Sequence, residues 1–267
     1  MKIFAVFCLI LFLALPARAE DAVYRRVVDS NTIRCGVIVF NQFFEPGLTG
    51  KAEPKGLTID IWKEIARRLQ MKVEWVEMTN MGTVYLDLAQ DRFNAICHPW
   101  LIYPPQLKHA ITSRIIFTED MLIYTPADRD TSAIKSYADL NNPGYRFAGT
   151  DGEAGAYYIP LKLPKVTMVL APQGAPAGTH FQDMITGKAD FILLSPLFAD
   201  GYMKAQPKAI KPVLTEPLGE LLFRFAYKPG SHDFRHMIDA VLEDMQREGL
   251  IDAFLKKNNL LSARGYR

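Results

Sequence analysis

Three short stretches of the chain bring together side chains able to recognise or transform a small molecule. Phe43 and Phe44 lie in a segment rich in Gly, Pro and aromatics. His98, Trp100 and Tyr103 follow an apolar stretch at 93–98. Gly149-Thr150-Asp151-Gly152-Glu153 runs from an apolar stretch into a helical one. Aromatic faces hold apolar surfaces and cations alike. Backbone N–H groups at a helix start bind anions, but Asp151 or Glu153 would oppose an anion there and meet a cation. His98, Asp151 and Glu153 are also the groups that acid–base chemistry in a cleft would use. For Phe43, Phe44 and Trp100 the competing reading is plain core packing.

Other chemical signals are absent or weak. His232 and His236 are four apart, as metal ligands on a helix can be, yet no third ligand stands nearby in sequence. The sequence has no Gly-x-Ser-x-Gly, no Walker loop and no paired-cysteine zinc motif. No cofactor or metal is therefore expected. Asp87 and Asp91 read as a solvated helix face, and Asp128-Arg129-Asp130 as an exposed loop.

The elements that must position these residues follow from periodicity. A buried strand is predicted over 33–39 after the turn-like Asp29-Ser30-Asn31. Gly56-Leu57-Thr58-Ile59-Asp60 opens a helix to Leu69, with Ile61, Ile65, Ala66 and Leu69 on one face. A strand over 73–78, a helix over 84–90 and a strand over 93–98 complete a β-α-β-α-β unit, so a doubly wound sheet is expected. Ligands of such sheets bind at the carboxyl ends of the strands. A second α/β unit runs from 136 to 205. It has helices over 136–140, 155–163, 179–186 and 196–205, and strands over 146–149, 166–170 and 190–194. Apolar segments near 118–124 and 221–228 join the two units and act as a hinge, with the cleft between lobes as the ligand site. Pro229-Gly230-Ser231 turns the chain and caps a final helix. The fold class is α/β with two lobes, each a doubly wound sheet. The expected borders are 20–120 and 222–267 for lobe I and 121–221 for lobe II.

The N-terminus and composition set the compartment. Lys2, a run of about 13 apolar residues, Pro16 and Ala17-Arg18-Ala19 read as a signal peptide over 1–19, cleaved after Ala19. The run is too short to span a bilayer, which needs about 20 residues. Export to the periplasm follows. The 267-residue chain carries 31 basic and 29 acidic residues, and losing Lys2 and Arg18 leaves it formally neutral. No basic cluster points to nucleic acid. A monomer is expected. Cys35 and Cys97 remain after cleavage; they could bridge in an oxidising compartment or pack as two small hydrophobes in neighbouring strands.

Several landmarks resemble the extracellular solute-binding proteins of family 3, the polar amino-acid binders that serve ABC importers. They are Asp29-Ser30-Asn31-Thr32-Ile33-Arg34, Gly56-Leu57-Thr58-Ile59-Asp60-Ile61, Thr186-Gly187-Lys188-Ala189-Asp190, the stretch 222–230, and Gly249-Leu250-Ile251. The resemblance covers essentially the whole mature chain. It implies a periplasmic-binding-protein type 2 fold, closure of two lobes on a small molecule, and a partner ABC permease in the inner membrane.

The resemblance also exposes a departure. Members of the family usually carry a Thr-Pro-Glu-Arg stretch whose Arg pairs with the ligand carboxylate. Here the stretch is Tyr103-Pro104-Pro105-Gln106, with Gln106 in place of the Arg. The Asp that binds the ligand ammonium corresponds to Ser195. Hydrogen bonds to a charged group contribute about 1.5–3 kcal/mol against about 1 for a neutral pair. Losing both charged clamps argues against an ordinary zwitterionic α-amino acid. The expected ligand-binding set is Phe43, Phe44, Trp100, Tyr103, Gln106, Thr150, Glu153 and Ser195. The runner-up is an enzyme on the same fold, dehydratase-like, with Arg114 or Arg146 replacing the missing Arg. A third reading is an accessory or sensory binding protein.

Overall fold

The computed structural model describes residues 21–40, 42–47, 53–78, 81–176, 178–207 and 209–266. The expected signal peptide at 1–19 lies outside them. Among the described residues there are eleven strands: β1 (Thr32–Val37), β2 (Lys72–Glu77), β3 (Ala95–Leu101), β4 (Ile111–Thr112), β5 (Phe117–Pro126), β6 (Arg146–Thr150), β7 (Thr167–Ala171), β8 (Phe191–Leu194), β9 (Ile210–Pro212), β10 (Gly219–Tyr227) and β11 (Arg264–Gly265). The helices are α1 (Ala22–Ser30), α2 (Leu57–Leu69), α3 (Val84–Ala89), α4 (Tyr137–Leu140), α5 (Ala154–Lys162), α6 (Thr179–Ile185), α7 (Pro196–Ala205), α8 (His232–Arg247) and α9 (Leu250–Lys257).

The main strand path runs β2-β1-β3-β10-β5-β8-β6-β7. The β2-β1-β3 and β8-β6-β7 groups are parallel, as βαβ crossovers require. Between them β5 changes partners along its length. Its first half pairs with β10 from Phe117 to Met121. Its second half pairs with β8 and β9 from Leu122 to Pro126. With β10 it therefore forms the two strands that pass between the lobes. The fold is the expected two-lobed α/β one.

Apolar spacing explains the helices of the first lobe. Ile61, Trp62 and Ile65 of α2 and Phe234, Ile238 and Leu242 of α8 are fully buried. The Trp62 indole packs tilted against Phe225 with centroids 4.8 Å apart and donates to the Cys97 carbonyl at 3.0 Å. Gly56, at φ 123°, precedes α2; a Cβ there would collide with the Phe43 carbonyl. Only glycine lets the loop carrying Phe43 lie on the helix start, where Thr58 N–H donates to that carbonyl at 3.0 Å.

Two expectations are corrected at the chain's start. The segment read as only a turn at Asp29-Ser30-Asn31 is the end of α1, which buries Val23 and Val27. Ser231 makes no side-chain cap on α8. Asp21 does that work from a distance. Its Oδ1 accepts from Val23 and Tyr24 of α1, and its Oδ2 accepts from Phe234 of α8 at 2.9 Å. One buried carboxylate thus caps two helices.

Three expectations left open or read as exposed also resolve. Cys35 and Cys97 form a disulfide between β1 and β3 with Cα atoms 5.2 Å apart. Asp87 is buried, not solvated, and Arg92 donates to it at 3.0 Å. Asp91 pairs with Arg26 and Lys228. Arg129 leaves its loop to join Arg146 on Asp190. Burial opposes ionisation of Asp190, but the two guanidinium groups outweigh it and hold the carboxyl below its ordinary range.

Candidate functional site

Loops at the carboxyl ends of β3 and β6 meet across the cleft between the lobes, as a doubly wound sheet dictates. A cavity of about 460 Å³ lies there. Tyr85, Tyr103, Pro105, Gln106 and His109 line it from the first lobe, and Asp151, Glu153 and Tyr157 from the second, with Gln173 beside them. Its size falls within the range of small-molecule sites.

Each wall residue is held for a local reason. Pro104 and Pro105 open a 3-10 turn at Pro104–Lys108, and the Gln106 Oε1 closes it by accepting from Tyr103 N–H at 3.0 Å. That bond fixes the Tyr103 backbone, and the Tyr103 ring reaches the second lobe. It stacks on Tyr157 with centroids 5.6 Å apart and meets Tyr158 edge-on at 5.8 Å. Burial, with Glu153 adding to it, pushes the Tyr103 hydroxyl well above the ordinary phenol range. Tyr85 faces His109 at 6.1 Å, and burial raises its hydroxyl to about 12. The phenols therefore remain neutral donors.

Glu153 stands at the N-cap of α5 and makes no side-chain cap bond to the helix. It reaches solvent yet is ringed by protein, and this partial desolvation raises its carboxyl, with a hydrogen bond to Thr150 opposing the rise. Asp151 lies on the same rim and is exposed.

The expected set divides. Tyr103, Gln106 and Glu153 line the cavity; Phe43, Phe44, Trp100, Thr150 and Ser195 do not. Phe44 is a core residue against Trp75 at 6.1 Å. Phe43 is buried beneath His98 at 5.0 Å and beside Phe117 at 6.3 Å. Trp100 packs on the small core that includes Ile102 and Ala226. The Thr150 hydroxyl bonds His180 Nδ1 at 3.1 Å.

Ser195 is fully buried beside Glu119 of the crossing strand β5. Glu119 is itself fully buried, and its Oε1 accepts from Ser262 at 2.6 Å. Burial raises its carboxyl, partly offset by Ser195 and Ser262, and Asp200 and Asp120 add to the rise.

The acid–base candidates are not assembled. His98 is 8% exposed and surrounded by Phe40, Phe43 and Trp100, and burial lowers its pKa to about 3. It does not line the cavity with Asp151 and Glu153. Arg114 and Arg146, the alternatives for a carboxylate clamp, are engaged by Glu243 and by Asp190. Among the described residues no group of three or more His, Cys, Asp or Glu could hold a metal.

The sequence itself matches the bacterial extracellular solute-binding proteins, family 3, over residues 37–259. The chain belongs to that family. No curated protein matches it. Among solved structures, this family-3 chain resembles an ancestral amino acid-binding protein, a precursor of cyclohexadienyl dehydratase, with TM-score 0.69 and 23% identity over 89% of this chain and 99% of that one. ArgBP from T. maritima gives 0.67 and 21% over 88% and 98%. The cysteine-binding protein from Campylobacter jejuni gives 0.68 and 15% over 90% and 93%. At these identities the likeness establishes the type 2 two-lobed fold.

Five cavity residues went unread in the sequence: Tyr85, His109, Ala156, Tyr157 and Gln173. Tyr157 had a usable signal, because it lies four residues after Glu153 and so shares its face of α5. Tyr85 and His109 reach the cavity only through the packing of α3 beside the 3-10 turn, which no local pattern reveals.

Proposed function

We propose that this family-3 protein is a periplasmic receptor that captures a small organic solute between its lobes and delivers it to an ABC permease. The reading takes 1–19 as a cleaved signal peptide, 121–221 as the second lobe and a monomer as the working form. The disulfide supports it, since such bonds persist in oxidising compartments. The observation that carries it is the aromatic cavity of about 460 Å³ with walls from both lobes.

The solute is not a standard α-amino acid. Gln106 spends its oxygen on the Tyr103 backbone. No lysine or arginine lines the cavity among the described residues. A ligand carboxylate would meet carboxylates instead of a cation.

Native mass spectrometry of the protein purified without denaturation tests the reading, together with small-angle scattering before and after solute removal. A released small molecule and a contraction on rebinding are expected. Thermal stabilisation by a common amino acid at low micromolar concentration would refute the ligand clause. Absence of any bound molecule and of any contraction on adding solutes would refute capture itself.

A further inference from the structure

The charge and shape of the cavity define a ligand class. Its formal charges among the described residues are the carboxylates of Asp151 and Glu153. Its walls are the rings of Tyr85, Tyr103, Tyr157 and His109. Tyr103 and Tyr157 come from opposite lobes and stack at 5.6 Å, so closing the lobes assembles this wall. No lysine or arginine is in the lining among the described residues. Arg114 and Arg146 face Glu243 and Asp190, and Arg224 lies against Tyr158 outside the lining. Aromatic faces attract a cation through their quadrupole, most strongly where water is excluded. A carboxylate at one edge supplies the counter-charge. Partial desolvation of Glu153 is relieved when a cation arrives beside it.

We propose that the cavity takes a small organic ammonium ion without a carboxylate, held among the rings of Tyr85, Tyr103, Tyr157 and His109 and by the charge of Glu153. The proposal rests on the reading of the cleft as a solute trap and names what it traps. Amino acids and betaines carry the same cation but add an anion, which Asp151 and Glu153 repel and nothing in the lining offsets. A neutral molecule of the same shape keeps the apolar contacts and loses the charge.

The test is calorimetric titration of the mature, disulfide-intact protein. Choline and putrescine serve as cationic probes, 3,3-dimethyl-1-butanol as the neutral counterpart of choline, and glycine betaine and L-arginine as carboxylate-bearing probes. At least one cation should bind about tenfold or more tightly than the neutral and carboxylate-bearing probes. Glu153→Gln should remove most of that preference while leaving the weak binding of the neutral probe in place. The thermal midpoint of the unliganded variant should stay close to that of the parent, because Glu153 makes no cap bond to α5.

The proposal would be overturned if neither choline nor putrescine bound more tightly than 3,3-dimethyl-1-butanol, or if glycine betaine or L-arginine bound more tightly than both cations. A cation preference unchanged in Glu153→Gln would overturn the role of Glu153. Binding of a neutral molecule with contraction of the lobes would leave solute capture standing and sink only the ammonium. Binding of no probe, with no contraction and no molecule released from the native protein, would sink both.

Discussion

Removing the Cys35–Cys97 bond tests how the first lobe is held together. The bond closes a loop of 62 residues between β1 and β3. The chain-entropy relation for a loop of that length gives a loss of about 4 kcal/mol when both cysteines become Ala. Both cysteines are fully buried, so little of the loss can be recovered by solvent contact. For a chain of this size about 4 kcal/mol corresponds to a fall of roughly 8–16 °C in melting temperature. Urea titration followed by tryptophan fluorescence is the assay. The chain's three tryptophans, Trp62, Trp75 and Trp100, all sit on α2, β2 and β3 around the bond. Cys35→Ala/Cys97→Ala should lower the urea midpoint. It should also steepen the transition, because the uncrosslinked denatured chain exposes more surface. A loss below about 1 kcal/mol with an unchanged slope would show that strand pairing and the Trp62 contact already fix β1 against β3, and that the loop-entropy argument fails here.

Two further outcomes follow from buried acids. Asp21→Ala removes the acceptor of three helix N–H groups and should destabilise the protein by about 2–3 kcal/mol, with Asp21→Asn in between since only one of its side-chain atoms accepts; chemical denaturation of the three proteins decides, and a cost below about 0.5 kcal/mol would refute the double cap. Glu119 is raised by burial, so its ionisation costs stability as pH climbs above the ordinary glutamate range, and that cost is absent at lower pH. Glu119→Gln should therefore be more stable than the parent at neutral pH and lose the advantage toward pH 4; an advantage independent of pH would refute the assignment to this carboxyl.

The fold was legible because its signals are local and redundant. The spacing of Ile61, Ile65, Ala66 and Leu69 announced α2, and Pro196 with its following helix was placed with the bounds observed. The short strands β4, β9 and β11 were not legible, since two or three residues carry no period. Nor was α1, whose only buried residues are Val23 and Val27. Asp21 could not be foreseen as the cap of α8, because the bond joins residues 213 apart in sequence. The cavity was half legible. Tyr103 and Glu153 were found because they follow strand ends, and Gln106 because it stands where the family carries an Arg. Ser195 follows β8 in the same way but is fully buried at the start of α7 beside Glu119, and position in a sequence does not set that direction.

Closure and selectivity have different physical sources in this protein. Phe40 meets Phe198 across the cleft at 5.5 Å, and Tyr103 meets Tyr157 at 5.6 Å. Aromatic pairs of this kind contribute about 0.5–1.5 kcal/mol each. Both are contacts within the protein, so they favour the closed arrangement whatever solute is present and by the same amount for each. A solute shifts the equilibrium only by what it gains in the closed form over the open one. Discrimination between two solutes must then reside in groups that treat them differently. Phe43, Phe44 and His98 cannot do so, being packed into the core below. That leaves the aromatic rings that line the cavity, the Tyr85 and Tyr103 hydroxyls, the Asp151 and Glu153 carboxylates and the Gln173 amide. Substitutions at Phe40 or Phe198 should accordingly scale all affinities together, while substitutions at Glu153 should reorder them.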